Sequence, residues 1–169
     1  MALSPFSARA KHQKIPFPRT RLLRGLGSFR CGKNCITCRY ITDGRTNYTF
    51  SATEEIRTIR DHIDCNSKNL IYMIHGLRYN KQYIGETKRR LTDRFNEHRR
   101  LVDRPTPSSR PTAVSDHFLS DPHSPNDIEL VPLELIHSSR DALRKAREAY
   151  LIERGQTLEP KGINKREEI

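Results

Sequence analysis

At 169 residues the chain has room for one hydrophobic core and at most a small satellite, since single cores usually occupy about 100–150 residues. Its 31 Lys and Arg against 20 Asp and Glu leave a net charge of +11, which favours a polyanionic partner, nucleic acid foremost, although a basic ribosome-associated protein would show the same balance. Hydrophobic residues make up 34%, and no apolar run nears the ~18–20 residues needed to cross a bilayer, so a transmembrane protein is not expected.

Residues 1–30 mix Arg9, Lys11, Lys14, Arg19, Arg21, Arg24 and Arg30 with Pro and Ser and carry no sustained period. They read as a basic flexible arm that touches phosphates at most. The arm lacks the compact apolar stretch of a secretory signal, and Pro5, Pro16 and Pro18 interrupt the amphipathic helix a mitochondrial presequence needs. A nuclear or otherwise intracellular protein, neither secreted nor membrane-bound, is the expectation.

Residues 31–68 form a cysteine-bearing segment. Cys31, Cys35 and Cys38 are clustered in sequence, and the fourth cysteine, Cys65, follows with His62 close by. This spacing suits a structural zinc site, either with all four thiolates or with His62 replacing Cys65. The plain alternative is four reduced thiols; a disulfide is disfavoured because nothing points to an oxidising compartment. A zinc knob here would present Arg30, Lys33 and Arg39 to a nucleic-acid backbone and support binding rather than cutting.

The main domain is expected over residues 69–164, with a tail at residues 165–169. Leu70-Ile71-Tyr72-Met73-Ile74 is a continuous apolar run that suits a strand covered on both faces. Gly76 and Asn80 supply turn chemistry, and Gln82-Tyr83-Ile84, stopped by Gly85, reads as a second strand, so the two can pair as a hairpin. Thr87 can cap a helix running to about Arg100, with Leu91 and Phe95 on one stripe and Arg94 and His98 on another. Residues 101–112, with Pro105, Pro107 and Pro111, read as a loop before a short helix at residues 114–118. Residues 128–136 read as a strand bent at Pro132. Ser138 with Asp141 resembles a capping box opening a helix from about Arg140 to Arg154, stopped by Gly155. The elements sum to an α/β (α+β) fold: a small three-stranded, mainly antiparallel sheet flanked by helices.

Tyr72 in Leu70-Ile71-Tyr72 and Tyr83 in Tyr83-Ile84-Gly85 resemble the two halves of the signature of the GIY-YIG endonuclease superfamily. Arg94 with His98 one turn later resembles that family's catalytic helix, Glu148 its metal-binding glutamate and Asn164 its closing asparagine. The stretch YIGETKRRLTDRFNEH, with the upstream cysteines, looks most like the endonuclease domain of Penelope-like retroelements. Two departures stand out. The first signature glycine is Leu70, at a strand position away from any polar group, and the hairpin carries Gly76 and Tyr79 where that subfamily often has a Cys-x-x-Cys.

The resemblance implies a phosphodiester hydrolase working with one Mg²⁺ or Mn²⁺, bound by Glu148, on DNA. Tyr72 or Tyr83 would help deprotonate the water and Arg94 would hold the scissile phosphate, its fork matching two oxygens. A phenol near pKa ~10 is a poor base unless cations depress it, a task open to Arg94, His98 and the ion. The basic run Lys88, Arg89 and Arg90 is a further candidate for phosphate contacts. Each residue also has an ordinary reading: half-buried strand aromatics, a solvated Arg94/His98 pair, and a Glu148 bridged to Arg144 or Lys145. The natural job implied is nicking a target for a reverse transcriptase in a longer parent polyprotein. A structure-specific repair or recombination nuclease, and a non-catalytic zinc and nucleic-acid-binding protein, are the rival readings.

Overall fold

The computed structural model describes residues 25–105, 111–120 and 123–168. Most of the expected arm, and residues 106–110 of the expected loop with Pro107 among them, therefore lie outside the described residues. In chain order the elements are β1 (Gly27–Ser28), a 3-10 turn (Ile36–Tyr40), β2 (Asn47–Thr49), β3 (Ile56–Thr58), β4 (His62–Ile63), β5 (Leu70–Gly76), β6 (Lys81–Thr87), α1 (Leu91–Asp103), α2 (Ala113–Ser120), a 3-10 turn (Pro125–Asp127), β7 (Ile128–Leu135), α3 (Asp141–Gly155) and a closing 3-10 turn (Arg166–Glu168).

The central sheet has three strands in the order β6-β5-β7, both pairings antiparallel. β5 lies in the middle with Leu70 to Ile74 all buried, as an unbroken apolar run requires when both faces are covered. Leu70 sits in that run opposite Thr87 and Leu135. The β5–β6 hairpin brings Tyr72 opposite Gly85, and Asn80 in its turn adopts a left-handed conformation with φ 53°. In β7 the register shifts between Ile71 and Tyr72, so Leu133 is bulged beside Pro132. That bulge, on an edge strand, accommodates a residue with no N–H to give the ladder.

Helix ends differ from the sequence reading at the start of α1 and at both ends of α3. α1 begins at Leu91 rather than after Thr87, because ladder pairing with Leu70 carries β6 through Thr87. α3 has no capping box: the Ser138 hydroxyl accepts from the Arg140 N–H, and Asp141 pairs with Arg144. At its other end the left-handed residue is Gln156, φ 49° and ψ 44°, while Gly155 stays inside the helix. A Cβ on Gly155 would lie 2.6 Å from the Phe50 ring, so this glycine permits close packing rather than chain reversal.

The cysteine-bearing segment packs on this scaffold. A single apolar core runs from Cys38, Ile41, Tyr48, Phe50, Ile59 and Ile63 through the sheet to Phe95, Leu151 and Ile163. Polar ties reinforce the contact: Gln82 of β6 donates to the Thr49 carbonyl and accepts from the Ser51 N–H, and Asp61 accepts from the Leu135 N–H. Among the described residues no helix is long and apolar enough to cross a membrane.

Candidate active site and metal centre

An antiparallel edge strand leaves every second residue's N–H and C=O pointing outward, and on β6 these belong to Gln82, Ile84 and Glu86. The C-terminal part of the chain satisfies four of these groups. The Ile163 N–H donates to the Gln82 carbonyl at 2.9 Å. Asn164 accepts from the Ile84 N–H at 2.9 Å and donates to the Ile84 carbonyl at 2.8 Å. Glu148 accepts from the Glu86 N–H at 3.0 Å. Sheet-edge satisfaction therefore draws Glu148 and Asn164 to the strand that carries Tyr83.

Tyr83, Glu86, Arg94, His98, Thr112, Lys145, Glu148 and Ala149 line one cleft of about 590 Å³. Tyr72 stands behind it, fully buried, its ring centroid 6.4 Å from that of Tyr83. The Tyr72 oxygen accepts from Arg94 Nε at 3.1 Å and lies 2.8 Å from His98 Nε2. Gly85 makes this possible, since a Cβ there would sit 2.7 Å from the Tyr72 oxygen and from the Tyr83 ring.

Electrostatics separates the members of this group. Burial drops the His98 pKa to about 3, Arg94 adding to the effect and Glu97 opposing it, so the imidazole is neutral at physiological pH. With a cationic guanidinium donating to the phenol oxygen, the Tyr72 hydroxyl and His98 Nε2 share one further hydrogen bond. Burial also pushes Tyr72 well above the ordinary phenol value, with Tyr83 adding to it, and Arg94 only partly offsets them. Of the cations expected to depress Tyr72, Arg94 acts in that direction but is outweighed by desolvation, and neutral His98 carries no charge to contribute. Burial, then repulsion from Glu86, raises Glu148 to about 7 against the pull of the Glu86 N–H, Arg94 and Lys145. A carboxylate raised by burial and by a second acid beside it, in a cleft, marks Glu148 as a candidate functional group.

Arg94 and His98 are not a solvated pair, since both meet the Tyr72 hydroxyl and His98 is 2% exposed. Arg144, half of the suggested bridge to Glu148, instead donates to Glu86, Asn69 and Asp141. Asn164 departs from the cleft: its amide serves the Ile84 backbone and accepts from the Thr157 hydroxyl, so it fixes the strand. Sequence reasoning did not place Glu86 or Thr112 in the cleft and named Lys145 only as a partner for Glu148. Glu86 leaves no spacing signal, since three positions along a strand put it on the opposite face from Tyr83; Thr112 arrives from across a loop and leaves no local signal either.

The basic residues are engaged at the surface. Arg89 pairs with Glu97 at 2.5 Å, Arg90 with Asp93 at 2.9 Å and Lys88 with Asp141 at 3.5 Å. Exposed pairs of this kind are worth little and are screened by salt, so an incoming phosphate can displace the carboxylate. Arg30 donates to the Ile41 carbonyl, while Lys33 and Arg39 are exposed beside the cysteines.

Cys31, Cys35, Cys38 and Cys65 converge, with their sulfurs all within 4.8 Å of one another. The sulfurs of Cys31 and Cys35 are 3.7 Å apart, those of Cys31 and Cys38 3.5 Å, Cys35 and Cys38 3.6 Å, and Cys38 and Cys65 3.4 Å. Four sulfurs at ~2.3 Å around a tetrahedral ion would be about 3.8 Å apart, so the donor set fits a zinc-like cation and is far too open for a disulfide. His62 is turned away: its Nδ1 lies 2.9 Å from the Gly25 carbonyl and its ring stacks on Phe29 at 4.4 Å. A hydrogen bond from the Lys33 backbone lowers the Cys31 thiol to about 7, whereas burial pushes Cys38 and Cys65 up. At the hairpin turn, where a further Cys-x-x-Cys was absent from the sequence, the Tyr79 ring instead packs 5.1 Å from that of His123.

No protein-family model matches the chain, and no curated protein matches it. A solved structure, that of the catalytic domain of the homing endonuclease I-TevI, is similar at 25% identity over 57% of this chain and 97% of that one, with a TM-score of 0.46.

Proposed function

We propose that this protein is a metal-dependent endonuclease of the GIY-YIG type that nicks DNA. The observation that carries the reading is the convergence of Tyr83, Arg94, His98 and Glu148 on one cleft, with Tyr72 directly behind them. The sequence resemblance at those same positions and the net charge of +11 agree with it.

In this reading Glu148 would hold a Mg²⁺ or Mn²⁺ ion, a hard cation that takes oxygen donors. When bound, such a cation neutralises charge developing on the phosphoryl oxygens and lowers the pKa of nearby water. Tyr83, which lines the cleft, is the phenol placed to meet the attacking water. Tyr72 is the buttress that aims Arg94, whose guanidinium binds the scissile phosphate. Neutral His98, hydrogen-bonded to the Tyr72 hydroxyl, keeps the Tyr72 oxygen facing Arg94. The four cysteines hold a structural Zn²⁺ that presents Lys33 and Arg39 to the DNA backbone. By its resemblance to Penelope-like elements, the cut would prime a reverse transcriptase.

A plasmid-nicking assay with Mg²⁺ or Mn²⁺ tests this, comparing wild type with Glu148→Ala and Arg94→Ala at matched DNA occupancy. Wild type should nick only with the cation, and each variant should lose ~10²-fold or more in rate while still binding. Salt-sensitive DNA binding by wild type without nicking would replace this reading with that of a non-catalytic binding protein.

A further inference from the structure

Helix α1 carries Arg94 and His98, yet it starts without a side-chain cap: Arg90 holds the cap position and caps nothing. The first N–H groups of a helix have no partner inside it, so something else must accept from them. Here the Leu91 N–H donates to the Ser67 carbonyl and the Thr92 N–H to the Cys65 carbonyl, both at 2.9 Å. The backbone of the fourth cysteine, together with that of Ser67, thus receives the start of the helix. Two lateral ties lead to the other three. The hydroxyls of Thr37, between Cys35 and Cys38, and of Thr92 are 2.9 Å apart, and the Tyr40 ring packs 4.9 Å from that of Phe95. Thr37 is fully buried, so that link is shielded from competing water.

We propose that the four-cysteine centre is a positioning element for the cleft: a thiophilic divalent cation joining residues 31–38 to Cys65 sets where α1 begins, and thereby where Arg94 and His98 stand. The inference rests on the zinc and nuclease readings above. Its physical basis is connectivity. The chain between Cys38 and Cys65 is long, so without a bridging ion little in the covalent backbone holds the Thr37 and Cys65 contacts on Thr92 together. Displacing a phosphate-binding guanidinium by about 1 Å is enough to cost a reaction ~10²-fold.

The test follows backbone amide exchange by NMR on the full chain, loaded with Zn²⁺ and then stripped with a zinc-selective chelator, with neither DNA nor Mg²⁺ present. Stripping should speed exchange at Leu91 and Thr92 by ~10-fold or more and leave the β5–β6 ladder protected. Unchanged exchange at Leu91 and Thr92, or equal acceleration across the ladder with the chain still folded, would overturn the coupling. Should stripping unfold the chain, Thr37→Val with zinc retained decides: faster Thr92 exchange and a kcat for nicking lowered with KM unchanged support the proposal, and wild-type values for both overturn it. A chain that binds no zinc when given Zn²⁺ alone would sink the zinc reading itself and the coupling with it. The exchange readout is independent of nicking, so failure of the nuclease reading is seen separately.

Discussion

Acidification should cost this protein stability through one imidazole. His98 is 2% exposed, and burial, reinforced by Arg94, holds its pKa at about 3. An unfolded chain binds a proton at that histidine near pH ~6.5, whereas the folded one refuses it until the pH approaches about 3. The contribution is therefore fully present above the unfolded pKa and falls by ~1.4 kcal/mol for each pH unit below it. Going from pH ~6.5 to 5 removes about 2 kcal/mol. His98→Gln keeps an acceptor for the Tyr72 hydroxyl and cannot titrate. Urea denaturation of both proteins at pH 7 and pH 5, without divalent cations, measures the effect. Wild type should lose ~2 kcal/mol more than the variant. Glu148, raised to about 7, stabilises the folded state as the pH falls through that range, but it does so in both proteins and cancels in the difference. Identical losses would refute the buried neutral imidazole.

Other consequences are equally direct. Asn164→Ala should strip both backbone partners from Ile84 and destabilise the fold by about 2–4 kcal/mol in urea titrations; a cost under ~0.5 kcal/mol would mean water replaces the amide. Gly85→Ala should push the Tyr72 oxygen off its 2.7 Å approach, costing about 1–3 kcal/mol of stability and, if the nuclease reading holds, most of the nicking rate. In metal-free protein the ¹³C-carboxyl resonance of Glu148 should titrate near 7, and Mg²⁺ should shift the midpoint down because the cation favours the ionised form. A midpoint near 4.5 that Mg²⁺ leaves unmoved would remove the carboxylate from the proposed cation site.

Periodicity and punctuation were enough to locate β5, β6, β7, α2 and the buried stripe of α1, because each buries a face whose spacing is written locally: the unbroken run from Leu70 to Ile74, the Leu91 and Phe95 pair, the proline at the bulge. Tyr72, Tyr83, Arg94, His98 and Glu148 were singled out by their resemblance to the GIY-YIG signature, and local pattern supplied only the strands and helices that carry them. What a linear pattern cannot carry is which donors remain unsatisfied once strands and helices pack. That question decided the start of α1, where carbonyls from Ser67 and Cys65 displace Thr87 as the cap. It placed Glu148 and Asn164 on the open edge of β6. Packing likewise decided that Gly155 is an opening for the Phe50 ring rather than a helix stop. Burial, which exists only in three dimensions, made His98 neutral and left Tyr72 harder, not easier, to ionise. Local sequence determines which faces must be hidden, and tertiary structure determines which polar groups then meet, because desolvation and backbone satisfaction depend on partners far away along the chain.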